Sequence, residues 1–218
     1  MEYQVQDIIR DVRVALDQNM TSAALAGLGD IDTLSLEDII RSKVVEGVRT
    51  VLMNAPLSLL GPGVPFGESI AWEKTEGHGG GYVRLPDDFL RLLVFQMDDW
   101  TRPVFSAISP DSPQYTLQHS PFPGVRGNTQ KPVVAIVNSA VGMTLEFYSC
   151  NGGRGTCIRQ ASYIPQPRII SEKIHIPYQL KEAAVYYIAY LTAVTTQQAD
   201  LATKLMEACQ SLLNNNPA

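Results

Sequence analysis

Two short stretches carry the residue types of an acyl-transfer site. His78-Gly79-Gly80-Gly81 has the composition of an esterase oxyanion loop, in which glycine N–H groups bind a developing negative charge. Gly67-Glu68-Ser69-Ile70-Ala71 is a degenerate nucleophile elbow. The order is reversed relative to such hydrolases, where the glycine loop precedes the serine, and no strand–turn–helix pattern surrounds Ser69. A flexible polar loop is the plainer expectation for this region. A small serine hydrolase using Ser69 and His78 is the distant alternative.

Cys150 and Cys157 bracket Asn151-Gly152-Gly153-Arg154-Gly155-Thr156. A closed zinc site needs four ligands in closely spaced pairs, and a redox pair prefers two intervening residues. Six fit neither, and Cys209 with the scattered His78, His119 and His175 makes no second pair. The expectation is a glycine-rich hairpin tip between two small residues. Gly152-Gly153-Arg154-Gly155 lacks the following Lys-Ser/Thr and the helix of a phosphate loop. The paired acids Asp87-Asp88 and Asp98-Asp99 point to opposite sides of an extended segment, which makes neither an acid/base dyad. Arg154, Arg159 and Arg168 occur with Tyr148 and Tyr163, the interleaving that binds single-stranded nucleic acid, but the segment is neutral with its neighbours. A solvated sheet face or a subunit interface is the better reading. No catalytic, cofactor-binding or metal-ligating residue is assigned.

The elements that position these residues fall into three parts. Residues 1–60 carry nine acids and five bases, residues 61–175 ten of each, and residues 176–218 three acids and two bases. The middle part holds 11 of the 14 prolines and 13 of the 16 glycines. Helix interiors exclude both, so the expectation is a β-rich middle, 61–175, between helical ends at 1–60 and 176–218. In the first part, Val5, Ile8, Ile9, Val12 and Leu16 form a stripe that predicts a helix over residues 3–16. A loop follows over 21–30. A second helix starts at Ser35, with Asp38 in the reciprocal capping position, buries Leu36, Ile40, Val44, Val48, Val51 and Leu52, and ends at Pro56.

In the middle part, strands are expected at 82–85, 92–95, 133–137, 143–148 and 158–164, with a helical turn at 86–89 and a hairpin connection over 138–142. A short helix is expected near Tyr115 to His119. In the last part, Pro177 opens a helix in which Leu180, Ala184, Tyr187, Ile188 and Leu191 share a face and Ala183, Ala189 and Ala193 permit close packing. Leu201, Leu205, Ala208 and Leu212 mark another helix, with a bend or break over 195–200. The fold class is therefore α+β: a helical bundle made by both ends of the chain, with a small antiparallel β-rich domain inserted.

At 218 residues and net charge −5, the chain is long enough for a real core, and its acidic balance argues against tight non-specific nucleic-acid binding. It has no run of 18 apolar residues, no recognisable secretory leader and three cysteines, which points to a reducing compartment and no membrane.

The stretch Tyr82-Val83-Arg84-Leu85-Pro86-Asp87-Asp88-Phe89, continuing through Trp100-Thr101-Arg102-Pro103-Val104, resembles part of the head-to-tail adaptor (connector) proteins of tailed bacteriophages. These include the tail tubular protein A class of podoviruses and the ring proteins of crAss-like phages. In that family a strand ends in Leu-Pro-x-Asp-Phe, a second strand follows, and a Trp-x-Arg-Pro-Val-like turn leads onward. The order of helices, β-rich middle and alanine- and tyrosine-rich C-terminal helices is similar too. The resemblance implies a virion protein without catalytic residues, cofactor or metal. It would form a homo-oligomeric ring, commonly a dodecamer, at the head–tail junction after assembly in the host cytoplasm. Its partners would be the portal protein and the downstream tail or ring protein, with DNA passing through unbound. A tail-completion or terminator ring protein is the alternative within the same class. The Gly- and Pro-rich stretches 61–81 and 105–132 are expected to order on contact with partner subunits. The 150–157 hairpin and much of 106–132 have no counterpart in the resemblance.

Overall fold

The computed structural model describes residues 1–16, 35–67, 69–73, 79–122, 124–139, 142–150 and 156–214. Two units divide the chain: residues 1–61 with 166–218, and residues 62–165. The fold is α+β, and its sheets are antiparallel. The expected loop at 21–30 lies outside the described residues.

The first unit begins with β1 (Glu2–Gln4) and α1 (Val5–Ala15). The five-residue stripe expected for α1 is buried, from Val5 at 0% exposed to Leu16 at 5%. Helix α2 (Leu36–Asn54) starts with a reciprocal cap: the Asp38 N–H donates to Ser35 Oγ and the Ser35 N–H donates to Asp38 Oδ2, both at 3.2 Å. Aspartate, shorter than the usual glutamate, still closes the box. Ala55 turns extended ahead of Pro56, which ends the helix.

The second unit contains β2 (Val64–Pro65), β3 (Ile70–Glu73), β4 (Gly79–Arg84), β5 (Phe89–Met97), α3 (Pro113–Leu117), β6 (Val134–Ser139), β7 (Gly142–Cys150) and β8 (Ile158–Pro165). These strands make two sheets, ordered β2-β8-β5 and β3-β4-β7-β6. The long β5–β8 pairing shifts register at three places, and such irregularities bend and twist a ladder. Phe95, fully buried, stacks on Phe147 at 6.1 Å and meets the edge of Trp100 at 5.6 Å, which joins residues of both sheets in one core. Residues 86–89 form a hydrogen-bonded turn, with the Phe89 N–H donating to the Pro86 carbonyl at 3.0 Å, in place of a helical turn.

The stretch 105–132 is tied at several points within its own unit. Val104 bridges Phe95, Ile108 bridges Ala135, the Thr101 N–H donates to the Thr129 carbonyl at 3.0 Å, and the Gly127 N–H donates to Gln118 Oε1 at 2.8 Å. These ties hold the stretch to its own unit. The short helix falls at 113–117, with Ser112 as its cap and Pro113 in its first turn.

The chain then returns to the first unit through β9 (Ile169–Ile170) and β10 (Lys173–His175), which complete the sheet β1-β10-β9. Residues 166–175, grouped by composition with the middle, belong with the helices because β10 pairs with β1. The turn between them holds Ser171 and Glu172 at φ 49° and 60°, a left-handed geometry usually given to Gly or Asn. Glu172 is fixed from two sides: its carbonyl accepts the Val5 N–H at 2.9 Å, and its carboxylate pairs with Arg41 of α2. Helices α4 (Lys181–Thr195) and α5 (Ala199–Asn214) follow, separated by a break at Gln197, φ 61°. Helix α4 packs on α1, α2 and α5. Among the described residues no helix is long and apolar enough to cross a membrane.

Candidate functional site

The glycines that suggested an oxyanion loop are strand residues. Gly79, Gly80 and Gly81 lie in β4, with Gly81 opposite both Trp72 of β3 and Phe147 of β7. A Cβ on Gly81 would stand 2.6 Å from the Ala71 carbonyl oxygen and 2.9 Å from the Phe147 ring. The residue is glycine because two strands and an aromatic ring close on it, not because an anion must approach. The flexible loop expected at 79–81 is thus part of a sheet. Ser69 is exposed on an open groove lined by Phe66, Val83, Arg84 and Pro86, and His78 lies outside the described residues.

The cysteine pair divides into unlike members. Cys150 is buried, and its thiol is pushed up first by burial and then by the charge of Asp99. Cys157 is exposed and donates its S–H to Asp98 Oδ2 at 3.6 Å, which raises its pKa because the hydrogen bond and the neighbouring charge favour the protonated form. Residues 151–155, with Arg154, lie outside the described set. Among the described residues no cluster of three or more His, Cys, Asp or Glu is placed to hold a metal ion. The expected consequence is a sluggish Cys157: Asp98→Asn should speed its alkylation by iodoacetamide at pH 8 severalfold. Equal rates in the two proteins would show that the contact does not govern the thiol.

The paired acids lie in turns rather than on an extended segment, and Asp87 and Asp88 still take different partners. Asp87 is exposed and faces Arg84 at 3.8 Å, whereas Asp88 Oδ1 accepts the Tyr163 hydroxyl at 2.7 Å. Tyr163, 4% exposed, stacks on Phe89 at 5.6 Å. Pro86, Asp88 and Phe89 thus form a clasp that fastens the β4–β5 turn to β8 through one ring stack and one hydrogen bond. Tyr148, 9% exposed, donates to Glu146 Oε2 at 2.6 Å. With their rings buried, neither tyrosine is a stacking platform for bases, and Arg159 and Arg168 lie in different units.

A cluster the sequence reading did not single out lies on the second face of the β3-β4-β7-β6 sheet. Tyr115 of α3 also donates to Glu146 Oε2, at 3.1 Å, and the His119 ring lies 5.2 Å from Tyr115 and 5.9 Å from Tyr148. Burial and the Glu146 carboxylate push both phenols upward, so they remain protonated donors at neutral pH. The signal was the alternation of Thr144, Glu146 and Tyr148 along β7, which places all three on one face. The arrangement docks α3 on the sheet.

The described chemistry is therefore that of packing and docking: carboxylates accept from phenols and thiols, and glycines admit close strands. No protein-family model matches the chain, and no curated protein matches it.

Proposed function

We propose that this chain is a structural virion protein of a tailed bacteriophage, a head-to-tail adaptor that forms a ring, commonly a dodecamer, between the portal and the tail. In this reading the helices from both ends make a bundle that builds the ring wall and carries the β-rich domain as an insertion. Its partners are further copies of itself, the portal protein and the downstream tail or ring component. DNA passes through without specific binding, which a net charge of −5 favours by like-charge repulsion.

The observation that carries the reading is the stretch from Tyr82 to Val104. Its family-like residues are those that fasten the second unit: Phe89 stacks on Tyr163, Asp88 bonds to Tyr163, and Trp100, 2% exposed, packs on Phe95. A motif whose members all serve packing suits a protein whose work is mechanical. The hydrolase alternative is weakened by the commitment of Gly79–Gly81 to the sheet.

Affinity purification of the tagged chain from its native lysate, read by mass spectrometry, tests the proposal. Portal and tail proteins should be recovered in a fixed, multi-copy ratio. Recovery of the chain alone, or with metabolic enzymes, would remove the adaptor reading.

A further inference from the structure

Helix α4 carries no charged residue between Ala183 and Thr195. At 100° per residue its buried members from Ala184 onward, namely Val185, Ile188, Ala189, Thr192 and Ala193 with it, cover one side of the helix, and Ala183, buried in the first turn, lies on the other. The opposite side is Tyr187, Tyr190, Leu191 and Val194, an i, i+3, i+4, i+7 ridge. Three of these are half-buried, Val194 is 51% exposed, and the two tyrosine rings lean together at 5.5 Å. A surface helix ordinarily makes that side polar, and a helix apolar all round belongs inside something.

Helix α2 has the converse outer side. Its inner side packs on α4, where Gly47 lies against Ile188. Its outer side forms a groove of about 580 Å³, with Val45, Thr50, Met53 and Pro167 inside and both Glu46 and Arg49 among the residues lining it. The groove lies on the side of α2 turned away from α4, so a chain cannot fit its own ridge into its own groove. Apolar side chains on the ridge match Val45, Met53 and Pro167. Glu46, whose carboxylate lies 3.7 Å from Lys43, and Arg49 offer that side an acceptor and a donor suited to phenol hydroxyls.

We infer that the ridge Tyr187–Tyr190–Leu191–Val194 of one copy seats in the α2 groove of a second copy, a head-to-tail contact between first units. Such a contact leaves one ridge and one groove open at the ends of any short series, and closes only as a ring. The inference rests on the ring reading proposed above and supplies the contact that reading needs.

Cysteine cross-linking in the full-length chain tests it. In a Cys157→Ser background, Leu191→Cys and Met53→Cys are made separately, mixed at high concentration and treated with a short bis-maleimide. The mixture should give a covalent dimer joining the two variants, and neither variant alone should do so. Adding Val194→Glu to the Leu191→Cys chain should cut the yield about tenfold, since it carries a charge into the contact. Residue 194 is already exposed, and unchanged ellipticity at 222 nm would show that the helices are retained. Dimers from Leu191→Cys alone would overturn the inference in favour of ridge against ridge, and no dimer in the mixture would overturn it outright. Capture of a portal without this cross-link would sink the contact and leave the adaptor reading standing. The cross-link without a portal would do the reverse.

Discussion

Trp100→Ala is expected to cost the second unit about 3–5 kcal/mol, the usual cost of truncating a buried tryptophan or phenylalanine. Domains of this size are stable by only about 5–15 kcal/mol, so a large part of the margin disappears. The local geometry explains why relaxation is limited. Trp100 is 2% exposed and meets Phe95, itself fully buried and stacked on Phe147. The backbone around it is also tied, because the Trp100 N–H donates to the Met97 carbonyl at 3.2 Å and the buried Gln96 amide donates to the Trp100 carbonyl at 3.1 Å. The two neighbours that would have to collapse into the space, Phe95 and Phe147, are strand residues held by ladders on β5 and β7. Urea unfolding can be followed by the fluorescence of the remaining tryptophan, Trp72, whose ring packs on Phe147 at 5.5 Å in the same unit. The midpoint should fall sharply, and Trp100→Phe should recover part of the loss because it keeps an aromatic edge near Phe95. An unchanged midpoint in Trp100→Ala would mean that this corner is not packed as described.

How much of this was legible depended on how local the cause was. Helix α1 was legible because five apolar residues at helical spacing can form only one buried stripe. The α2 start was legible because Ser35 and Asp38 cap each other three residues apart. The strands β7 and β8 were legible from alternation and β-branched or aromatic content. The division into two sheets was not, because it follows from which strands pair, β5 with the distant β8 and β4 with β7, and no single strand encodes its partner. The role of Gly81 was invisible for a similar reason: its constraint comes from Ala71 and Phe147, ten and sixty-six residues away along the chain. Spacing identified β1 as the start of a helix, since its partner strand β10 lies far along the chain and supplies the extended conformation through pairing.

The orientation of α4 departs from what residue spacing alone suggests. By spacing, Tyr187 and Leu191 share a face with Leu180, Ala184 and Ile188, yet the last three are fully buried while Tyr187 and Leu191 are half-buried. The helix turns its alanines inward with Val185 and Ile188: Ala183, Ala184, Ala189 and Ala193 are each at most 1% exposed, while Tyr187, Tyr190 and Leu191 are half-buried and Val194 is exposed. Small residues let α4 approach α1, α2 and α5 closely, and this is why the ridge discussed above is left outward. The candidate site was less legible than the fold. The chemistry-bearing residues that attracted notice in the sequence, Ser69 and Cys157 among them, are solitary or masked by packing roles, whereas the Tyr115–Glu146–Tyr148 network joins residues 31 and 2 positions apart that carry no motif.

The same close approach makes Gly47 a sensitive position in the first unit. Gly47 sits in the middle of α2, where glycine itself costs about 1 kcal/mol relative to alanine. Its presence implies a steric demand larger than that cost. A Cβ at this position would stand 2.5 Å from Ile188 Cγ1, and Ile188 is fully buried, with its Cα only 3.5 Å away. The isoleucine cannot swing aside into solvent, so α2 and α4 must separate. Gly47→Val should therefore destabilise the first unit by about 3 kcal/mol or more, at the upper end of overpacking, despite the gain in helix propensity. Ile188→Ala alone should cost about 2–5 kcal/mol through the cavity it leaves. Combined, the two changes compensate, because the valine methyls enter the space vacated by the isoleucine. The double variant should be more stable than the sum of the single effects by about 1–3 kcal/mol, the range of coupling between residues in contact. Thermal or urea unfolding monitored at 222 nm measures this, since the long helices α1, α2, α4 and α5 all lie in the first unit. Strict additivity would mean that Gly47 and Ile188 do not share the space between α2 and α4, and would also remove the reason given for the alanine-lined inner face of α4.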